Sequence, residues 1–272
     1  MAVLDLPKAP AVAQSAAYDA FADIYDAFTW DHDYERWVSI LEPVVKSHGL
    51  SGQRLLDVAC GTGKSVLPWL ERGYQVEACD FAPRMLEQAK RKVGVRATLR
   101  VADMRELPAG EPRDLITCLG DSVNYLLEPG DLGRAFACVA RRLRSGGLYL
   151  FDLNSLRTYA EDFSATRSFA RDGWEFRWTG HGDGQAELGG IARATVTAHR
   201  PGRAGAPVAS QHVQRHHPIP VVRANLEPAG LEALRVYGQH RDGSLDAEFD
   251  ELAHSKALVL ARRPAQRGIE RR

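Results

Sequence analysis

An apolar run that breaks into glycines, LLDVACGTG over residues 55–63, constrains the fold more than any other stretch of this chain. Leu55, Leu56 and Val58 have the texture of a strand buried on both faces. Behind Gly63 a helical pattern opens, with Val66, Leu67 and Leu70 on one side and Gly73 as its stop. Gly61 and Gly63 let the backbone turn tightly and let a ligand approach where a Cβ would collide. The free N–H groups of the following helix suit an anionic group. Beyond it the run YQVEACD ends in Asp80, an acid placed to accept hydrogen bonds from ribose hydroxyls. These features together point to a nucleoside-containing cofactor at the carboxyl edge of an open parallel sheet.

Two other glycine loops are excluded by spacing. A phosphate-binding loop of the form G-x-x-x-x-G-K-[ST] fits Gly63-Lys64-Ser65 only if a glycine stands at position 58, which is Val58. A dinucleotide loop needs a third small residue at position 66, which is Val66. What remains, D-x-A-C-G-T-G with an acid ending the next strand, resembles the first motif of the class I S-adenosylmethionine-dependent methyltransferases. The resemblance continues in order and spacing over roughly residues 15–155. Phe81-Ala82-Pro83-Arg84-Met85-Leu86 resembles the segment after the ribose acid, with proline in the first helical turn. TLRVAD ends in Asp103, followed by Met104; DLITCLGDSVNYL covers residues 114–126; GGLYLFDLNS covers residues 146–155.

The resemblance implies a Rossmann-like α/β sheet, mainly parallel with an antiparallel last strand and helices on both faces. It implies S-adenosylmethionine as cofactor, with S-adenosylhomocysteine as product. By the same likeness Ala59, Gly61 and Gly63 pack against the methionine part, Asp80 holds the ribose with Phe81 as a further cofactor contact, and Asp103 and Met104 meet the adenine. Tyr25, Met85 and Leu119 complete the expected cofactor contacts. Asp57 is expected either to hold the backbone N–H groups of the glycine turn or to touch the cofactor itself.

Lys plus Arg equals Asp plus Glu at 35 each, which argues against a nucleic-acid partner. No secretory signal and no membrane-spanning apolar run is apparent, so no membrane partner is expected. Cys60, Cys79, Cys118 and Cys138 have no C-x-x-C spacing and read as small buried hydrophobes in a cytoplasmic protein. Residues 1–14 are expected to be disordered, 15–155 to form N-terminal helices and the cofactor-binding core, and 156–219 to form an inserted β-rich lid. Residues 220–262 would supply a closing helix near Arg223 to Gly230 and the last strands, and 263–272 a basic tail. The lid is expected from alternating segments at 174–182, 191–200 and 207–219 between glycine-rich turns.

Methyl transfer is an in-line displacement, so most of the acceleration should come from positioning. Tyr18, Phe21, Tyr25 and Phe28 recur at helical spacing, and Tyr18, Tyr25 and Trp30 are candidates for the wall of the acceptor pocket. Asp121, Asn124 and Tyr125 follow strand four and Asn154 ends strand five; they either orient an acceptor or cap local structure. In QHVQRHHP, His216 or His212 could act as a general base, with Arg215 beside them, or the segment could fix the lid to the core. This histidine group lacks an accompanying carboxylate at ligand spacing, so no metal is expected there. The expected activity is methyl transfer to oxygen or nitrogen of a small molecule, an amino sugar or secondary metabolite. RNA or protein methylation, and cofactor binding without transfer, stay open beside it, as does homo-oligomerisation.

Overall fold

A computed structural model describes residues 17–203 and 205–265. Residues 1–14, and 266–272 of the expected tail, lie outside the described residues. Five strands run parallel: β1 (Arg54–Val58), β2 (Gln75–Asp80), β3 (Ala97–Val101), β4 (Arg113–Cys118) and β5 (Leu143–Asn154). After the second sheet come β10 (Glu232–Gln239), β11 (Leu245–Asp246) and β12 (Lys256–Arg262), which close the main sheet in antiparallel sense. The order is β11-β10-β12-β5-β4-β1-β2-β3. The chain leaves β1 in one direction for β2 and β3, then crosses to β4 on its other side. Diverging connections there open a crevice at the carboxyl ends of β1 and β4, where open α/β sheets bind ligands.

Strand residues feed two cores in strict alternation. Leu56, Ile116, Tyr149 and Phe151 face one side with Phe136, Val222 and Leu226. Leu55, Leu115, Leu148 and Leu150 face the other with Leu41, Val45 and Trp69. That alternation is why these strands read as continuous apolar runs. The covering helices are α2 (Tyr34–Ser47), α3 (Val66–Glu71), α4 (Pro83–Val93), α5 (Asp131–Arg142) and α7 (Ile219–Leu226). Pro43 sits inside α2 without ending it. The last helix starts before the expected Arg223, because Pro218 and Pro220 set the φ of its first turn.

The aromatic segment before α2 is not one continuous helix. Residues 17–21 are helical, a turn follows, and α1 spans Tyr25–Phe28. Its aromatics divide between two destinations. Phe21, Ile24 and Phe28 join Phe176, Val196 and Ala198 of a second sheet, whereas Tyr18 and Tyr25 pack with Ala22, Phe81 and Met85. The second sheet is antiparallel, with β6 (Thr166–Arg171), β7 (Trp174–Gly180), β8 (Ile191–His199) and β9 (Val208–Arg215) in chain order. Its first strand was not expected: TRSFAR is an outer strand with only Phe169 partly buried, so it carries no alternating apolar signal. A short helix, α6 (Leu156–Asp162), links the two sheets. The chain stays bound to the sheet past β12, since Arg263 donates to the carbonyls of Gly147, Ala140 and Leu143.

Candidate active site

The crevice at the carboxyl edge is a cleft of about 730 Å³, partly open to solvent. Its wall is assembled from Ala59 and Gly61 after β1, Asp80 and Phe81 after β2, Ala102 to Arg105 after β3, and Gly120, Ser122, Tyr125 and Leu126 after β4. Tyr18, Tyr25 and Met85 complete it. Eight of the expected cofactor contacts therefore come together: Tyr25, Ala59, Gly61, Asp80, Phe81, Met85, Asp103 and Met104.

Asp57, Gly63 and Leu119 do not line the cleft, and each absence has a physical reason. The Asp57 carboxylate is buried and accepts hydrogen bonds from the Ser65 and Thr117 hydroxyls, so it braces the turn from below. It does not hold the turn's backbone N–H groups; Asp80 does. Asp80 Oδ2 accepts from Gly61 N at 2.8 Å and Oδ1 from Ala82 N at 2.9 Å. Gly63 serves packing: an added Cβ would stand 3.1 Å from Ala89 Cβ and 3.2 Å from its Cα on α4. Leu119 is buried in the core on the α2–α3 side of the sheet. Gly61 is different, since its Cβ would meet nothing closer than Tyr25 Cε1 at 4.0 Å, facing the cleft.

Burial pushes the Asp80 carboxyl up to about 6, although the N–H groups of Ala82, Gly61 and Phe81 pull the other way. Asp57 is likewise pushed up to about 6 by burial, against its two hydroxyl donors. Asp103 sits on the cleft but is gripped by Arg105, which donates from N and Nε to Oδ1 at 2.8 and 2.9 Å and is tied onward to Asp131. Arg105 was not expected at the site. Its side chain folds back two residues, and an arginine in a loop gives no sequence sign of that.

The segment after β4 is held in an uncommon conformation. Asp121 has φ 55° and Gly120 has φ 80°, and a Cβ on Gly120 would stand 2.8 Å from the Tyr34 hydroxyl. Asp152 fixes this turn, accepting from Gly120 N at 2.7 Å and Asp121 N at 2.9 Å. Lys256 Nζ donates to Asp152 Oδ2 at 2.6 Å and to Asp121 Oδ1 at 3.1 Å. A non-glycine residue held at positive φ persists only where its surroundings over-determine it. Asp152 and Lys256 supply that constraint, and neither was a candidate. They lie far along the chain from the turn they hold, and only strand pairing between β5 and β12 brings them together.

Strand β9 of the second sheet is bonded directly to the same region. Tyr125 Oη lies 2.7 Å from His212 Nδ1, and Tyr18 and His212 meet edge to face. Gln214 Nε2 donates to Asp121 Oδ2, and its Oε1 accepts from Asn154 Nδ2 at 2.9 Å. Asn124 accepts from Asn154 N and donates to the Arg215 carbonyl. Asn124 and Asn154 thus join the main sheet to the second sheet. Arg215 is another joint, clipping the carbonyls of Leu127 and Gly189. Burial lowers His212 to about 4, which keeps its imidazole neutral near pH 7.

Two candidates fall elsewhere. Trp30 is 53% exposed under the Arg171 guanidinium, because the turn after α1 carries it outward. His216 lines a separate cavity beside β8 and Tyr159, with Nε2 3.1 Å from Glu251 and Nδ1 accepting from Gly189 N. The strand alternation that groups it with His212 ends at Arg215, where β9 stops.

A glycine turn after β1, a buried acid ending β2 and an acid after β3 meet at one switch point, the place where open α/β sheets bind nucleoside ligands. A family model described as a methyltransferase domain matches residues 55–147. The chain is 34% identical over 149 residues to a putative methyltransferase of Geobacillus, covering 53% of this chain and 60% of that protein. A putative methyltransferase of Bacillus subtilis is 28% identical over 239 residues, covering 86% of this chain and 94% of its own. The dTDP-4-amino-2,3,4,6-tetradeoxy-D-glucose N,N-dimethyltransferase of Saccharopolyspora spinosa is 34% identical over 137 residues, and the chain spans only 53% of its length. Among solved structures, an S-adenosylmethionine-dependent methyltransferase from Clostridium acetobutylicum superposes with TM-score 0.74 at 24% identity, over 91% of this chain and 99% of that one.

Residues 55–147 thus match a methyltransferase domain on a sheet with the class I methyltransferase fold, and S-adenosylmethionine is the cofactor that the sequence resemblance implies. The cleft suits that ligand: Gly61 leaves room for close approach, and the Asp80 carboxylate, with more acceptor sites than the N–H groups it holds, keeps capacity for a ribose hydroxyl.

Proposed function

We propose that this protein methylates a nitrogen or oxygen of a small molecule enclosed between the cleft and the second sheet, with an amino sugar as the acceptor class. One observation carries the reading: β9 is sealed onto the turn after β4 by the Tyr125–His212, Gln214–Asp121 and Asn124–Arg215 bonds. A roof tied this closely suits a small acceptor better than a polymer lying in a groove. Residues 156–219 are the lid in this reading. The naming of the Saccharopolyspora relative as an amino-sugar N,N-dimethyltransferase supports the acceptor class.

S-adenosylmethionine, when bound, supplies an electrophilic methyl group on a sulfonium. The protein orients and dries the site. Asp80, Asp103 and the glycine turn set the cofactor's position, while Tyr18 and Tyr125 wall the acceptor side. Burial pushes the Tyr18 and Tyr125 hydroxyls well above their ordinary range, so they stay protonated and act as hydrogen-bond partners, not bases. Neutral His212, bonded through Nδ1 to Tyr125 Oη, is the group positioned to take a proton relayed from the acceptor through that hydroxyl. No helix among the described residues is long and apolar enough to cross a membrane, and the four buried, unpaired cysteines support a cytoplasmic setting.

The test is a panel of nucleotide-linked amino sugars, their hydroxyl counterparts, RNA and protein, each incubated with methyl-labelled cofactor. Label on an amino sugar or its hydroxyl counterpart supports the proposal. Label on RNA or protein alone, or tight cofactor binding with no transfer across the panel, overturns it.

A further inference from the structure

We propose that this chain carries a binding site for one divalent transition-metal ion, ligated by His240, Asp246 and His254. The site lies apart from the cofactor cleft, at the far edge of the main sheet. β10 ends at Gln239, the chain turns and returns as β11, and His254 stands two residues before β12 begins at Lys256. Pairing of Gln239 with Leu245 and with Lys256 brings the three ligands to one spot. The Nε2 atoms of His240 and His254 each lie 3.0 Å from the same oxygen, Asp246 Oδ2, and all three atoms fall within 4.8 Å of one another.

That spacing is close to what a small metal ion needs. Zinc stands about 2.0–2.2 Å from imidazole nitrogen and carboxylate oxygen, so neighbouring ligand atoms of a tetrahedral centre lie roughly 3.3 Å apart. Side-chain shifts that even out these spacings convert the present triangle into a ligand set. His240 and Asp246 are exposed enough to make them, whereas His254 is buried and fixed. The fixed ligand is seated by design of the backbone: a Cβ at Gly238 would come within 2.4 Å of the His254 ring, so glycine clears its place on β10. His254 Nδ1 accepts from Asp250 N at 3.0 Å and lies 3.2 Å from the Asp250 carbonyl; ligation through Nε2 would put the ring proton on Nδ1, where that carbonyl can accept from it.

The donor set also selects the ion. Two imidazoles and one carboxylate suit zinc, cobalt or nickel and not the oxygen-seeking magnesium or calcium. Three protein ligands on an exposed hairpin leave the remaining coordination to solvent. The neighbouring cation does not oppose occupancy, because the Arg241 guanidinium is turned onto Glu161 and Asp162. An ion here would pin the segment between β10 and β12 whose end is Lys256.

The experiment titrates the full chain, free of any histidine tag, with Zn²⁺ by calorimetry and with Co²⁺ by visible absorption. Asp246→Asn and His240→Ala are run beside it, both at positions exposed enough to spare the fold. The expected result is one ion per chain, a visible cobalt d–d band, and at least tenfold weaker binding in each variant. Retained S-adenosylhomocysteine binding would show that the variants are folded. No binding by the parent chain, undiminished binding in both variants, or equal binding of Mg²⁺ would overturn the assignment.

Discussion

Asp80 should make cofactor affinity depend on pH in a way that its replacement removes. Burial places its carboxyl at about 6 in the cofactor-free chain. The folded value therefore stands above the unfolded one, so ionising Asp80 costs the free chain stability as pH climbs from about 4 through about 6. Ribose hydroxyls donate much more strongly to the ionised form, so binding should pull that value down. An apo carboxyl near 6 is about nine-tenths ionised at pH 7 and about one-tenth at pH 5, so affinity should fall about tenfold across that window. Two charge-assisted bonds to the ribose, each about 1.5–3 kcal/mol, make the loss in Asp80→Asn at pH 7 at least about a hundredfold. An amide also has only one acceptor oxygen, whereas Gly61 N and Ala82 N now donate to different oxygens of Asp80. The assay is calorimetric titration with S-adenosylhomocysteine from pH 5 to pH 7. Asp57 titrates in the same range, but its effect persists in the variant, so the difference between the two proteins isolates Asp80. A flat profile in the parent chain, or the same slope in Asp80→Asn, would refute the reasoning.

Gly63→Ala should lower stability by about 1–3 kcal/mol in chemical denaturation, from overpacking against Ala89 and a φ of +80°. Gly61→Ala, with open space before its Cβ, should weaken cofactor binding more than it lowers the melting temperature. Lys256→Met leaves Asp121 and Asp152 uncompensated beside each other and should cost about 3–5 kcal/mol of stability, read by urea melts. Trp30→Ala should leave S-adenosylhomocysteine affinity within twofold of the parent by roughly the rule for exposed substitutions. His212→Asn should lower turnover on the accepted sugar far more than His216→Asn, measured as kcat at saturating cofactor; equal losses would remove His212 from its proposed role.

What the sequence by itself determined is the part of the fold in which neighbours along the chain are also neighbours in space. The β1 turn, the acid ending β2 and the proline opening α4 are local signals, and each stands at the cleft or beside it. The alternation of apolar residues in β1, β4 and β5 likewise announced a sheet covered on both faces. The division of labour inside the motif was not legible. Asp57 and Asp80 are both acids ending buried strands, yet one is covered by Ser65 and Thr117 and the other meets the cleft. Gly61 and Gly63 differ only in what stands opposite them. Which of Tyr18, Phe21, Tyr25 and Phe28 would face the cleft depended on a break between residues 21 and 25 that helical spacing conceals. Lys256 and Asp152, and the histidines that flank Asp246, acquire their roles only through antiparallel pairing in the last strands. Burial, pairing and desolvation depend on what the rest of the chain places beside a residue, and that is set by the tertiary structure alone.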